Sequence, residues 1–183
     1  MEIEVKIKTE NLEGLKEELV KLGASFILPV EQVDEYYKLK GKEKETQRPG
    51  SFILRIREQE QIKRFTVKAL TETTGAWIEH ETGVEDPEEL RKILELVGFT
   101  NVFTIKKTRT YGKLKNFEIC LDDVEGLGKF VEFEIISDNP EEGKAKIMEI
   151  VTKLGLSDDQ IEHRGYAAII AQNMGVKFEG TNG

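Results

Sequence analysis

The sequence predicts an α+β chain in which eight short strands form a barrel or a pair of sheets, with helices set between and after them. Strand-like segments bounded by turn signals recur at short spacing along the chain. The order strand, helix, three strands occurs twice, over 2–70 and over 76–136, which implies an internal duplication. At 183 residues there is enough chain for a real core, in one domain or two small ones.

Each element has a local reason. In the opening stretch EIEVKIK, Ile3, Val5 and Ile7 alternate with Glu2, Glu4 and Lys6, so residues 2–8 read as a strand with one apolar and one charged face. Leu12, Leu15, Leu19 and Leu22 recur at helical spacing before Gly23, a good stop. Strands follow at 33–39, 51–58 and 64–70, with a charged loop over 41–50 and a hairpin turn over 71–75. After a strand at 76–85, Asp86, Pro87 and Glu89 stand in the order of a cap, a first-turn proline and a capping box. Leu90, Ile93, Leu94 and Val97 continue that helix to Gly98, and the endings KLGASF and LVGFTN match between the halves. Strands at 102–112, 116–123 and 129–136 come next, then helices at 140–154 and 157–174, the last entered by Ser157 with Gln160 three residues on. Residues 1–175 are expected to form one domain, and 176–183 a loose tail.

Composition narrows the function. A net charge of −8 argues against a general nucleic-acid binder, which leans on uncompensated Lys and Arg, so any basic site must be local. No apolar run is long enough to cross a bilayer, and the acidic, amphipathic start is not a signal peptide. The single cysteine, Cys120, allows no internal disulfide and fits a cytoplasmic location. With only His80 and His163 beside it, there is no thiolate or imidazole cluster for zinc.

The charged faces of the strands are regular. Arg55 and Arg57 share one face, as do Arg64, Thr66 and Lys68, Glu79 and Glu81, Lys107 and Arg109, Glu118 and Asp122, and Glu132 and Glu134. One such face alone is a solvated one. Repeated on nearly every strand, with acids paired on some and bases on others, it points to converging charge. Glu2, Glu4, Glu132 and Glu134 in one lumen would repel unless cations neutralised them, and hard Mg²⁺ or Mn²⁺ suits carboxylate oxygens. The bases call for a polyanion, with Arg as a bidentate fork and Lys as a point charge on phosphate. Together they describe a site for a metal triphosphate.

Glu2, Glu4 and Lys6 as ExExK, with LRIR, TVK, KKTR, LDDVEGLG and FVEFE in that order, resemble the CYTH superfamily of triphosphate tunnel metalloenzymes over about residues 2–170. ICLDDVEGLGKFVEFE most resembles the CyaB-like branch, the class IV adenylyl cyclases and their archaeal relatives. The resemblance implies an eight-stranded antiparallel barrel open as a tunnel, with helices packed outside. It implies that Glu2, Glu4, Glu132 and Glu134 hold divalent metals with Asp122 near them, and that Lys6, Arg55, Arg57, Lys68, Lys107 and Arg109 bind the triphosphate. Glu79 and Glu81 fall at the family's ExE strand.

Other residues are expected to do less. His80 alternates with Glu79 and faces out, Tyr37 is read as core rather than entrance, and Cys120 shares parity with Asp122 but is read as structural. Trp77 packs over a loop or at a rim, and Arg164 and Tyr166 resemble a C-terminal family element. The leading function is cyclisation of ATP to cyclic AMP and pyrophosphate. The alternatives are hydrolysis of thiamine triphosphate, a nucleoside triphosphate or inorganic triphosphate, and non-catalytic binding of nucleotide or polyphosphate. Neither nucleic acid nor membrane is an expected partner, and an exposed helix face is available to a homodimer.

Overall fold

The computed structural model describes residues 2–70 and 77–177, with the side chains of Glu2, Trp77 and Pro140 left out. The hairpin turn expected over 71–75, the Trp77 side chain and most of the expected tail therefore lie outside the described residues. The chain forms two compact units, one from residues 1–31 and 107–163, the other from 32–106 and 164–183. The fold is α+β with antiparallel strand pairing, as expected.

In the first unit β1 (Glu2–Thr9) pairs with β9 (Gly128–Ile136), β9 with β8 (Phe117–Val124), and β8 with the C-terminal part of β7 (Phe99–Leu114). The alternation in β1 settles which face is core. Val5 and Ile7 stand in register with Phe133 and Val131 of β9, which stand in register with Ile119 and Leu121 of β8. Over this face lie Leu15 and Leu19 of α1 (Leu12–Lys21) and Ile147, Ile150 and Val151 of α3 (Pro140–Lys153), forming one buried cluster. Each large aliphatic or aromatic side chain buried there contributes about 1.5–3 kcal/mol. The other face is left to Glu4, Lys6 and their register partners.

Helix ends follow the sequence closely. The Asn11 side chain accepts from the Gly14 amide at 2.9 Å, and Gly23, at φ +97°, ends α1 in a conformation that a Cβ would strain. The Asn139 carboxamide oxygen caps α3 by accepting from the amides of Glu141 and Glu142.

Two features of this unit differ from expectation. A ninth, two-residue strand, β2 (Ser25–Phe26), pairs with β7, with Phe26 in register with Gly112. Residues 157–160 form a single 3₁₀ turn (Asp158–Gln160) rather than the start of a long helix. The reason is the free edge of β1. Ile161 makes a β-bridge to Ile7, and the Glu162 amide donates to the Lys6 carbonyl at 2.9 Å, so the chain runs extended there instead of coiling.

In the second unit the strand order is the N-terminal part of β7, then β3 (Val30–Leu39), β4 (Phe52–Gln59), β5 (Ile62–Leu70) and β6 (Trp77–Gly83). Tyr37, Leu54 and Ile56 pack with Leu94 of α2 (Pro87–Leu96), whose cap is the Asp86 carboxylate accepting from the Glu89 amide at 3.0 Å. Tyr37 is thus a core residue. The last helix, α4 (Tyr166–Asn173), begins after Gly165 with Tyr166 buried. No helix among the described residues is long and apolar enough to cross a membrane.

Candidate functional site

The charged face of the first unit is organised in rows, because residues in antiparallel register point to the same side. One row holds Glu4, Glu134 and Glu118. The next holds Lys6, Glu132, Cys120 and Tyr111, and the one after that carries Asp122 beside Arg109. Alternation within each strand and register between strands bring these side chains together.

Their ion pairs cross the expected division of labour between acids and bases. Lys6 Nζ lies 2.9 Å from Glu4 Oε1 and 3.0 Å from Glu132 Oε1. Arg109 donates through Nε and Nη2 to both oxygens of Asp122, at 2.7 and 2.5 Å, and through Nη2 to Glu132 Oε2 at 2.6 Å. Lys107 Nζ stands 3.6 Å from Asp122 Oδ2. Lys6, Lys107, Arg109, Asp122 and Glu132 are all buried, Asp122 completely. Unpaired, each of these charges would cost several kcal/mol, so the network is a condition of the fold as well as of any chemistry.

The titration of these groups reflects the pairing. Burial alone would raise Glu132, but Arg109, Lys6 and Lys107 outweigh it and hold the carboxyl at about 2. Burial would lower Lys6, and the Glu132 and Glu4 carboxylates reverse that and raise it. Arg109 is likewise raised against its burial, by its bond to Asp122 and by Glu132. The Cys120 thiol is pushed up to about 12, chiefly by burial.

Ligand atoms of Cys120, Glu132 and Glu134 lie within 4.8 Å of one another. With the thiol protonated, the donors of this group are carboxylate oxygens, and Glu4 stands across from Glu134 in the β1–β9 register. Such a donor set suits a hard divalent ion, Mg²⁺ or Mn²⁺, and not a thiophilic one.

The second unit has its own charged face, built from Asp34 and Tyr36 on β3, Arg55 and Arg57 on β4, Arg64, Thr66 and Lys68 on β5, and Glu79 and Glu81 on β6. Arg57 forks onto Asp34, with Nε to Oδ1 at 2.6 Å and Nη2 to Oδ2 at 2.7 Å. Arg55 Nη2 donates to Thr66 Oγ1 at 3.0 Å and to Glu81 Oε2 at 3.1 Å, while its buried Nε has no hydrogen-bond partner among the described residues. Lys68 Nζ is 2.5 Å from Glu79 Oε1, and burial followed by the nearby Arg55 charge lowers its pKa. Glu79 and Glu81 thus share one face, and His80, in register with Val67, lies on the other.

That opposite face is structural. Arg91 of α2 binds Glu35 at 2.8 Å, Glu88 at 2.7 Å and also Glu58, and the Tyr37 hydroxyl donates to Glu35 at 2.6 Å. A cleft of about 240 Å³ opens there, lined by Tyr37, Arg91, Phe99 and Asn101 among others. Its arginine is already tied to three carboxylates.

The CYTH domain family matches residues 1–166. The chain belongs to the CYTH family. A Methanocaldococcus jannaschii protein provisionally named an adenylate cyclase is 35% identical over 171 residues, spanning 91% of this chain and 96% of its own length. The adenylate cyclase CyaB of Aeromonas hydrophila is 27% identical over 99 residues, and the match spans about half of each chain, 52% in both cases. Among solved structures, a Pyrococcus horikoshii protein superposes with a TM-score of 0.77 at 33% identity, covering 92% of this CYTH chain and 98% of the other. A Pyrococcus furiosus protein gives 0.76 at 33% identity, covering 92% and 99%.

Within this CYTH chain, the structure brings Glu4, Lys6, Lys107, Arg109, Asp122, Glu132 and Glu134 together on one unit's charged face, and Arg55, Arg57, Lys68, Glu79 and Glu81 on the other's. Of Glu2 only the backbone is described, in register with Ile136. Reasoning from sequence passed over Asp34, which grips Arg57, and placed Glu118 on a charged face with Asp122 without giving it a role, although it extends the Glu4–Glu134 row. Asp34 shares parity with Tyr36 in VDEYYK, and Glu118 with Asp122, so alternation held the signal for both. Arg164 donates to Gln172 at 2.7 Å, within the C-terminal segment.

Proposed function

We propose that this CYTH protein is a metal-dependent enzyme acting on a triphosphate, and that its reaction is cyclisation of ATP to cyclic AMP and pyrophosphate. The observation that carries the reading is the network in which Asp122 and Glu132 hold Arg109, Lys107 and Lys6 in place beside the acidic row of Glu4 and Glu134. The relative that is 35% identical, provisionally named an adenylate cyclase, supports the choice of reaction.

We assign the metal to Glu4, Glu132 and Glu134, with Glu2 beside them by its place in the ExExK motif. A bound Mg²⁺ or Mn²⁺ supplies neutralisation of phosphate charge and polarisation of the scissile P–O bond. Lys6, Lys107 and Arg109 are assigned to phosphate oxygens. Arg55, Arg57 and Lys68 take the same role, and Glu79 and Glu81 hold Lys68 and Arg55 in register for it. Asp122, fully buried and forked onto Arg109, acts by orienting that guanidinium. Fixed charges of this kind stabilise the developing negative charge without reorganising during the reaction, where most catalysis of phosphoryl transfer lies. The 3′-hydroxyl oxygen of ATP forms the new bond to the α-phosphorus as its proton passes to solvent, the bond to the bridging oxygen breaks, and pyrophosphate leaves.

Incubation of the pure protein with ATP, inorganic triphosphate and thiamine triphosphate, with Mg²⁺ or Mn²⁺ and with a chelator, tests this by resolved products. Chelator-sensitive cyclic AMP and pyrophosphate are expected from ATP. Orthophosphate without cyclic AMP would replace cyclisation by hydrolysis at the γ-phosphorus, on the substrate turned over fastest. Binding without any product would leave only a polyphosphate-binding role.

A further inference from the structure

On the charged face of the second unit the acids are not alike. Glu79 and Glu81 are exposed, and they meet Lys68 and Arg55 through one bond each. Asp34 is 2% exposed and holds Arg57 with both of its oxygens, Nε donating to Oδ1 and Nη2 to Oδ2. Such a fork sets the plane of the guanidinium, and with it the direction in which the remaining donors point. Neither charge nor stability accounts for an acid in this place. A carboxylate beside a phosphate-binding cation weakens the field that draws the anion in, and a buried ion pair is often no more stabilising than apolar side chains of the same volume. Orientation of the guanidinium does account for it.

The internal duplication supplies a separate observation. The caps Asn11 and Asp86, the buried Leu19 and Leu94, and the stops Gly23 and Gly98 stand at one constant spacing. The same spacing sets Asp34 against Arg109 and Tyr36 against Tyr111. Across each hairpin the register then pairs Asp34 with Arg57 on β4, and Arg109 with Asp122 on β8. Arg109 forks onto Asp122 through the same two nitrogens, Nε and Nη2. Both halves thus keep the fork at the matching place while exchanging which strand carries the acid and which the base. What stays constant is an oriented guanidinium, not a residue type at a position.

We propose that Asp34 is a positioning residue of the second unit, which fixes the Arg57 guanidinium for a phosphoryl group of a bound polyphosphate. It rests on the triphosphate reading above and adds to it an acid outside the ExExK, LRIR, TVK, KKTR, LDDVEGLG and FVEFE motifs. Asp34 touches no phosphate itself and acts through Arg57, as Asp122 acts through Arg109.

The test is isothermal titration of inorganic tripolyphosphate, at fixed salt and without metal, into wild type, Asp34→Asn, Arg57→Gln and the double variant, beside the melting temperature of each. The sign is decisive, because removing a negative charge near an anion site strengthens binding by Coulomb attraction alone. Asp34→Asn is expected instead to weaken binding about 10-fold, as Arg57 loses its orientation. In the Arg57→Gln background the same change should cost no affinity, since there is no guanidinium left to orient. Asp34→Glu, which keeps the charge and moves it outward by one methylene, should also bind more weakly than wild type, and it decides the matter if Asp34→Asn does not fold. Affinity at or above wild type in Asp34→Asn, even with a lower melting temperature, would mark Asp34 as structural and overturn the proposal. So would wild-type affinity in Asp34→Glu, or an equal loss from Asp34→Asn in both backgrounds. In each of those cases tripolyphosphate still binds wild type and the triphosphate reading stands, whereas no binding to wild type would overturn both.

Discussion

Glu132 shows how one side chain ties stability to site chemistry. One oxygen takes Lys6 and the other Arg109, and Lys107 adds to the field that keeps the carboxyl at about 2 against its burial. A carboxyl whose folded pKa is depressed binds fewer protons folded than unfolded. Its stabilisation is present above the ordinary value of 4.5 and is lost as the pH falls toward about 2. Denaturant unfolding of wild type should therefore lose stability across that window. Glu132→Gln should show a shallower loss there, and at neutral pH it should be less stable by about 3–5 kcal/mol, since it leaves buried cations short of a partner. Equal slopes in the two proteins would show that Glu132 does not titrate as described. Cys120 gives a second residue-scale prediction. With its thiol pushed up to about 12 and its side chain buried, it should resist iodoacetamide at pH 8 in the native protein and react once unfolded. Which side chains share the charged face was legible from alternation, as Lys6, Arg109 and Glu132 show. Which acid serves which base was not, because that depends on the register between strands far apart in sequence, such as β1 and β9.

Elements with a local chemical signature were read well, and those fixed by a distant partner were not. Asp86, Pro87 and Glu89 encode the start of α2 within four residues, and the Asp86 carboxylate makes the expected cap. Asp86→Ala should lower stability by about 1 kcal/mol, measured by denaturant midpoint. β2 is two residues long and too short to carry a period, so nothing in ASFI announces it. It exists because Phe26 lies over Gly112 of β7, where a Cβ would come 2.3 Å from the ring. The glycine is needed for that approach. Gly112→Ala should cost about 1–3 kcal/mol by overpacking, and an unchanged melting temperature would mean that the ring moves aside freely. The same lesson explains 157–174. Ser157 and Gln160 form the capping box that was read there, but the edge of β1 recruits Ile161 and Glu162, and only the last part coils as α4.

At the scale of the molecule, the order strand, helix, strands runs along contiguous sequence, with the short β2 added in the first half, while each compact unit draws on separate segments of it. β7 contributes to both, its first eight residues to one unit and the rest to the other. Such interleaving is invisible to periodicity, which reports faces and not neighbours. Family membership supplies the missing long-range information, since a CYTH match over 1–166 spans segments of both units. The central claim is that the acidic row on β1 and β9 holds the divalent ion on which turnover of a triphosphate depends. Its most direct test is the rate of Mn²⁺-dependent product formation from ATP by Glu134→Gln beside wild type, with circular dichroism to show that both are folded. Metal-dependent turnover is expected to disappear in the folded variant, and turnover at the wild-type rate would contradict the claim.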